Sequence, residues 1–106
     1  MHIVILITAP NKTEAKRIAS ALIRKKLAAC VNIAEGLTSL FWWKGKVDKA
    51  NEALLVVKSK KEKLAKVITC VKSLHSYQVP EIIALPIIGG NSAYLKWIDD
   101  SLRNSP

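Results

Sequence analysis

The chain has 106 residues, half of them apolar, and its 17 basic and eight acidic residues give a formal net charge of +9. A chain of this length buries roughly 65% of its unfolded surface on folding, so we predict one domain over residues 1–106. No apolar stretch approaches the ~20 residues that cross a bilayer and no secretory leader pattern opens the chain, so we expect a cytoplasmic protein without a membrane partner.

The first predicted elements are a strand and a helix. The continuous β-branched run from His2 to Thr8 ends before Pro10 and is typical of a central strand covered on both faces. Asn11 stands three residues before Glu14, which is a variant of the capping box, and apolar residues then recur at helical spacing. We therefore predict a helix over residues 12–27.

A long β-hairpin is predicted next. Residues 29–43 are rich in β-branched, aromatic and aliphatic side chains, and Gly45 between two lysines provides a tight turn into a second strand over residues 47–59. The apolar alternation is interrupted at Gly36, which predicts a bulge or bend there. Strands of this length extend beyond neighbouring strands of about six residues. The backbone N–H and C=O groups at their ends are then unpaired within the sheet, so another part of the protein or another chain must cover them.

The remaining predicted elements are a helix, an edge strand and a short final helix. Helical spacing covers residues 61–74, and residues 79–88 form a strand with a proline near each end. Asn91 or Ser92 then caps the last helix. The order β-α-β-β-α-β-α indicates an α+β, ferredoxin-like split β-α-β fold, whose antiparallel sheet carries both main helices on one face.

Five segments of the chain resemble one protein family. They are Thr8-Ala9-Pro10, Leu27 to Ile33, Thr38 to Lys46, Leu74 to Ile82 and Tyr94 to Ile98. Taken in order, they are similar to the CutA family of divalent-cation tolerance proteins. The resemblance implies a ferredoxin-like protomer in a homotrimer, with the long hairpin strands pairing between subunits. It also implies a role without catalysis in the tolerance of metal ions such as copper.

Cys30 and His75 are candidate ligands for a metal ion. Free cysteine is among the most buried residue types, so composition makes Cys30 a small core residue, whereas the resemblance implies a thiolate ligand near the subunit interface. His75 closes a predicted helix, where an imidazole either complements the helix dipole or binds Zn²⁺ or Cu²⁺. Both interpretations stay open for each residue.

Glu81 is the third candidate metal ligand. It follows a proline and precedes a strongly apolar run, so we expect its carboxylate to become buried. A buried carboxylate needs a partner, and we expect Lys44 or Lys58 to supply an ion pair as the alternative to a metal.

Aromatic residues complete a predicted cleft between subunits. Trp42 and Trp43 point to opposite faces of a regular strand, so at most one of them lines a pocket and packing is the default for both. The predicted cleft also contains Lys44, Tyr77, the base His75 and the acid Glu81. This is the mixture of charged and aromatic groups expected of an ion or small-molecule site.

This chain also departs from the family pattern. Ser76 stands where relatives typically have a proline, and Ile7 and Leu74 stand where some carry an additional cysteine and histidine. Because soft ligands are few, we predict weak, broad binding of divalent cations, with no obligatory cofactor and with Cu²⁺ or Zn²⁺ as candidate ions.

Two other functions stay open, and catalysis is not expected. The implied fold and trimer are similar to those of the PII signal proteins, so the cleft is also a candidate site for a small anionic metabolite or nucleotide. The net charge of +9 raises RNA binding, but the glycine-aromatic motif of RNA-recognition sheets is absent from the sequence, so we do not expect a nucleic acid partner. No nucleophile stands beside a base, and no phosphate-binding glycine loop is present.

Overall fold

The computed structural model describes residues 1–103 and confirms the predicted order of elements. Its strands are β1 (His2–Ala9), β2 (Cys30–Trp43), β3 (Lys46–Lys60) and β4 (Ile82–Pro86), and its helices are α1 (Lys12–Arg24), α2 (Leu64–Leu74) and α3 (Ser92–Leu102). One 3₁₀ turn, Lys61–Lys63, leads into α2. The strands form one antiparallel sheet in the order β2-β3-β1-β4, which is the predicted ferredoxin-like arrangement.

The helices α1 and α2 cover one face of this sheet. Alternate residues of β1 point into the core and are almost fully buried, and the apolar stripes of the two helices pack on them. The central members of this core are Ile3, Ile5, Ile7, Ile18, Leu22, Leu55, Val57, Val67 and Val71. Burying a side chain of this size contributes about 1.5–3 kcal/mol, so this face supplies most of the stability of a single chain.

Helix α1 begins as predicted and ends three residues early. The Asn11 side chain accepts a hydrogen bond of 2.8 Å from the Glu14 N–H, which confirms the cap. At the other end Lys26 adopts a left-handed conformation, with φ of 55°. The Leu27 N–H then donates to the Leu22 carbonyl at 2.9 Å, and this bond closes the helix and turns the buried Leu27 into the core.

Strand β4 is shorter than predicted. The predicted strand over residues 79–88 was wrong at both ends: pairing with Ile3–Ile7 of β1 covers only Ile82–Pro86, and one further bond follows it, from the Ile87 N–H to the His2 carbonyl at 3.0 Å. Pro80 also lacks the N–H that a ladder would need. Its position beside β1 at the end of the strand order confirms the expectation of an edge strand.

The β2-β3 hairpin extends beyond the rest of the sheet, as predicted. Strand β1 pairs with β3 only from Ala53 to Lys60, so residues 46–52 have β2 as their only neighbour in the sheet order. Lys44 and Gly45 form the turn, both with positive φ, which suits the twist of a two-residue hairpin loop. The expected bulge lies between Ala34 and Leu37, and Gly36 within it has a φ of 77°.

The second face of the sheet is largely uncovered, and we call it the open face. At one end His2 and Lys60 both contact Asp99 of α3. Since these residues alternate with the core residues of β1 and β3, α3 lies opposite the two main helices. Beyond α3 the open face exposes apolar side chains from three strands: Leu6, Leu54, Val56, Ile83 and Leu85. The position of β1 inside the sheet confirms the expected central strand, and within one chain its open face is only half-buried at Val4 and Leu6.

Within residues 1–103, no helix has the length and the continuous apolar composition that crossing a membrane requires.

Candidate functional site

A groove of about 1010 Å³ lies on the open face, where the hairpin leaves the sheet. We call it the groove, and three parts of the chain line it. They are Leu37 to Phe41 with Trp43 from β2, Asp48 to Ala50 with Glu52 and Leu54 from β3, and Tyr77 to Val79 with Thr8 and Glu81 around the approach to β4. It is bounded by the hairpin on one side and by the segment after α2 on the other.

The bulge in β2 decides which side chains face the groove. Before the bulge, odd-numbered residues such as Val31 pair with core residues of β3 and face the helices. After it, Leu37 pairs with Glu52 and Trp43 pairs with Lys46, so the odd-numbered residues face the groove instead. Trp43 therefore lines the groove, whereas Trp42 points to the other side and is 75% exposed.

The groove is electronegative although the chain is strongly basic. It is lined by three carboxylates, Asp48, Glu52 and Glu81, and by one lysine, Lys49. This local excess of carboxylates favours cations over anions at the groove itself, although the basic helices contribute an opposing long-range field.

A tyrosine holds one of these carboxylates in place. The Tyr77 hydroxyl donates a hydrogen bond of 2.9 Å to Glu52 Oε2. Burial raises the pKa of Tyr77 to about 12, and the contact with Glu52 adds to the rise. The hydroxyl therefore stays protonated at physiological pH and remains a donor, leaving the second oxygen of Glu52 for another partner.

His75 lies directly behind Tyr77 and is fully buried at its side chain. Its Nε2 donates to the Thr8 carbonyl at 2.7 Å, because a carbonyl oxygen can only accept. Its Nδ1 accepts from the Tyr77 N–H at 3.0 Å and lies 3.4 Å from Glu14 Oε2. Both ring nitrogens therefore have protein partners, and the rings of His75 and Tyr77 are 4.8 Å apart.

Cys30 lies at the other end of the open face. It pairs with Lys58, whereas Thr8, the partner of His75, pairs with Leu54 four residues away along β3, a separation of roughly 13 Å. The Cys30 thiol is half-buried, and burial together with this thiol raises the pKa of Tyr94 on α3. Within one chain the structure does not bring Cys30 and His75 together.

Glu81 and Lys44 occupy exposed positions. The expected burial of Glu81 and its ion pair with Lys44 or Lys58 were wrong: its carboxylate is exposed to water, and no ion pair of Glu81 occurs among the residues described. Lys58 instead donates to Asn32 Oδ1, and the Lys44 ammonium lies 5.8 Å from the centre of the Trp43 ring.

The predicted site residues are thus divided among three places. Trp43, Tyr77 and Glu81 line the groove, His75 lies behind it, and Cys30, Trp42 and Lys44 lie outside it. No group of three histidine, cysteine or acidic side chains in residues 1–103 is close enough to hold a metal ion. Ligation of a metal by Cys30, His75 and Glu81 stays a prediction.

Sequence reasoning missed two acidic residues of the groove. Asp48 and Glu52 are separated by four residues on β3, so they point to the same side of the strand. That spacing was available in the sequence, since residues four apart on a strand share a face. The contact between Glu52 and Tyr77 was not, because it joins residues 25 positions apart.

Comparison with known proteins places this geometry in context. The model of the CutA1 divalent ion tolerance protein family matches residues 3–101. The divalent-cation tolerance protein CutA of Archaeoglobus fulgidus is 50% identical over 97% of this chain and over its own full length. The chloroplastic protein CutA 1 of rice is also 50% identical over 97% of this chain. The chain spans little more than half of the plant relatives: 58% of the rice protein and 56% of the chloroplastic Arabidopsis CutA.

Solved structures agree with these relatives. The structure described as the periplasmic divalent cation tolerance protein CutA of A. fulgidus has a TM-score of 0.94 at 50% identity and covers 97% of this chain and all of its own. The Cut A1 protein of Thermus thermophilus has a TM-score of 0.91 at 50% identity and covers 92% of this chain and 95% of its own. The fold described above, including the long hairpin, is therefore the fold of these proteins.

Proposed function

Because this chain belongs to the CutA1 family of divalent ion tolerance proteins, we propose that it acts as a homotrimer that binds divalent cations weakly at the groove, without catalysis. The single observation that carries the proposal is the charge of the groove. Three carboxylates and one lysine line it, in a chain whose basic residues outnumber the acidic ones by two to one. Oxygen ligands of this kind suit hard and borderline divalent ions.

Exposed apolar side chains at the tip of the hairpin support the trimer. Large side chains near the hairpin tip are exposed, and they include Leu40 at 71%, Trp42 at 75% and Val47 at 62%. Monomeric proteins rarely leave a long apolar edge of this kind in water. Strands β2 and β4 are both edge strands, so head-to-tail contacts between subunits can close a ring. In this proposal the hairpin strands pair between subunits and a neighbouring subunit completes the groove.

The proposed ligands come from both the prediction and the groove. Glu81 is the predicted ligand that lines the groove, and we add Glu52 and Asp48 to it. Cys30 and His75 are the ligands predicted for Cu²⁺ or Zn²⁺, but both ring nitrogens of His75 already have protein partners, so within this proposal a soft site would require Cys30 to meet a ligand from another subunit. Few soft ligands mean low affinity, as expected for broad tolerance rather than for a resident cofactor.

Isothermal titration calorimetry with Cu²⁺, Zn²⁺ and Mg²⁺ tests the proposal. We expect weak binding that is reduced about tenfold or more in the double variant Glu52→Gln, Glu81→Gln, because both charges leave the groove. Glu35→Gln is the matched control, since Glu35 is an exposed carboxylate outside the groove that pairs with Lys12 at 3.4 Å. Absence of heat with every ion, or an equal loss in the control, would contradict the proposal.

The size of the groove favours a second candidate function. Its volume of about 1010 Å³ and its aromatic wall are those of sites for small organic molecules, which would make the protein a PII-like binding module. Its acidic lining favours a cationic or neutral molecule over the anionic metabolite expected from the sequence. A thermal-shift screen of metabolites against metal ions separates the two functions, because a ligand that binds the folded protein raises the melting temperature, and the rise grows with the logarithm of ligand concentration divided by Kd.

The proposal keeps the cytoplasmic location expected from the sequence. Cell fractionation with an antibody against this chain tests it, and recovery of the chain in an organelle or periplasmic fraction would contradict it.

A further inference from the structure

A buried hydrogen-bonded cluster joins the start of α1 to the groove. At its centre is His75, whose ring is shielded from water by the contacts of β1, α1 and the segment that follows α2. No buried side-chain nitrogen or oxygen among the residues described lacks a hydrogen-bond partner, so the cluster is complete without a bound ion.

We infer that His75 is a positioning residue for the groove rather than a ligand within it. One ring nitrogen is fixed to the Thr8 carbonyl at the end of β1, and the other fixes the backbone N–H of Tyr77. The imidazole therefore sets the place of Tyr77 relative to the sheet. Tyr77 in turn holds Glu52, so His75 acts on the groove through two hydrogen bonds in series.

A second anchor restrains the same segment. The backbone N–H and the hydroxyl of Ser76 both donate to Glu14 Oε2, each at 3.0 Å. The Glu14 side chain is only 9% exposed, and Arg17 lies 3.8 Å from its other oxygen. A proline at position 76 would have neither donor, so this anchor depends on serine there.

Metal ligation by His75 would require the cluster to open. A nitrogen that binds a metal ion needs a free lone pair. The lone pair of Nδ1 accepts the hydrogen bond from the Tyr77 N–H, and Nε2 carries the proton that it donates in the hydrogen bond to the Thr8 carbonyl. Binding through either atom would leave a buried backbone group without its partner, at a cost of about 1–3 kcal/mol. The positioning role requires no such rearrangement.

Two substitutions of His75 distinguish the roles. Asparagine can accept a hydrogen bond from the N–H two residues ahead through its side-chain oxygen, which is the Asx turn, so His75→Asn keeps the Tyr77 contact while it loses the imidazole and its bond to the Thr8 carbonyl. His75→Leu loses the imidazole and both hydrogen bonds. This inference rests on the proposed cation site, and we expect the Zn²⁺ or Mg²⁺ affinity to fall about threefold in His75→Asn, which keeps the Tyr77 contact, and about tenfold in His75→Leu.

Amide hydrogen exchange at Tyr77 gives a readout that does not depend on cations. We expect the Tyr77 N–H to be protected in the wild type and in His75→Asn and to exchange at least about tenfold faster in His75→Leu. If the wild type binds no cation, the proposed function fails while this exchange pattern still decides the role of His75. If His75→Leu does not fold by circular dichroism, Tyr77→Phe takes its place, with an expected loss of affinity because Glu52 is released.

Two results would overturn the inference. One is an equal loss of cation affinity in His75→Asn and His75→Leu while the Tyr77 amide of His75→Asn stays protected, which would identify the imidazole as a ligand. The other is an exchange rate at Tyr77 that is the same in all three proteins.

Discussion

The two faces of the sheet differ in how completely a single chain covers them. On the helix-covered face Ile5, Ile7 and Leu55 are fully buried, whereas on the open face Ile83 and Leu85 are each 50% exposed. The same strands supply both faces, so strand propensity does not explain the difference. Around β1, one face is covered by α1 and α2 of its own chain, and the other carries an apolar surface that a neighbouring molecule is expected to cover.

The two faces also differ in charge: the helices on one face are basic, and the groove on the open face is acidic. The two helical segments, residues 12–26 and 61–74, contain ten of the 17 basic residues and two of the eight acidic ones. The groove on the open face has three acidic residues and one basic residue. The net charge of the chain is therefore a property of its helices, and it does not predict the sign of the ligand at the groove.

A core substitution gives the largest expected effect on the stability of one chain. Leu55→Ala removes a fully buried side chain from the helix-covered face, and we expect a loss of about 2–5 kcal/mol in the free energy of unfolding. Urea denaturation followed by circular dichroism measures it. A loss below 1 kcal/mol would show that the two faces differ less than their burial indicates.

Charge on the open face is expected to break the assembly. Ile83→Lys places an ammonium on the apolar open face, which is proposed to lie between subunits, so we expect dissociation of the proposed trimer at micromolar concentrations. Ile23→Lys is the matched control, because Ile23 is 43% exposed on α1 of the other face. Sedimentation velocity distinguishes the outcomes. Dissociation of both variants would contradict the claim that the open face, and not the helix-covered face, forms the contact between subunits.

Loss of the Glu14 contact with Ser76 is expected to have an intermediate effect on stability. Glu14→Gln removes the charge of the carboxylate that accepts both hydrogen bonds from Ser76, and we expect a loss of about 1–3 kcal/mol in urea denaturation. Glu35→Gln, at an exposed surface pair, is expected to change the stability by less than about 0.5 kcal/mol. Equal effects of the two substitutions would show that burial of Glu14 does not matter.

The attachment of α3 to the open face has the smallest expected effect and depends on pH. A hydrogen bond from Lys60, helped by one from His2, lowers the pKa of Asp99 below its usual value of 3.8, against the opposing effect of desolvation. A carboxyl group with a lowered folded pKa adds stability above its unfolded pKa and loses that contribution as pH falls through the folded pKa. Asp99→Asn should therefore flatten the decline in melting temperature below about pH 4, and an unchanged acid limb would contradict this contribution.

The order of elements could be predicted because each one has a local signal. The Asn11 cap, the turn at Gly45 and the spacing of the apolar residues all act over a few positions. The site depends on contacts between distant parts of the chain and was predicted less completely. The bond from His75 to Thr8 joins residues 67 positions apart, and the bond from Tyr77 to Glu52 joins residues 25 positions apart.

The mass of the particle in dilute buffer tests the central claim most directly, because the open face and the groove are both proposed to be completed by neighbouring subunits. Light scattering coupled to size exclusion at micromolar concentration should give three times the mass of one chain, unchanged on tenfold dilution. A stable particle with the mass of a single chain would contradict the account, since the apolar open face would then be exposed to water in the native protein.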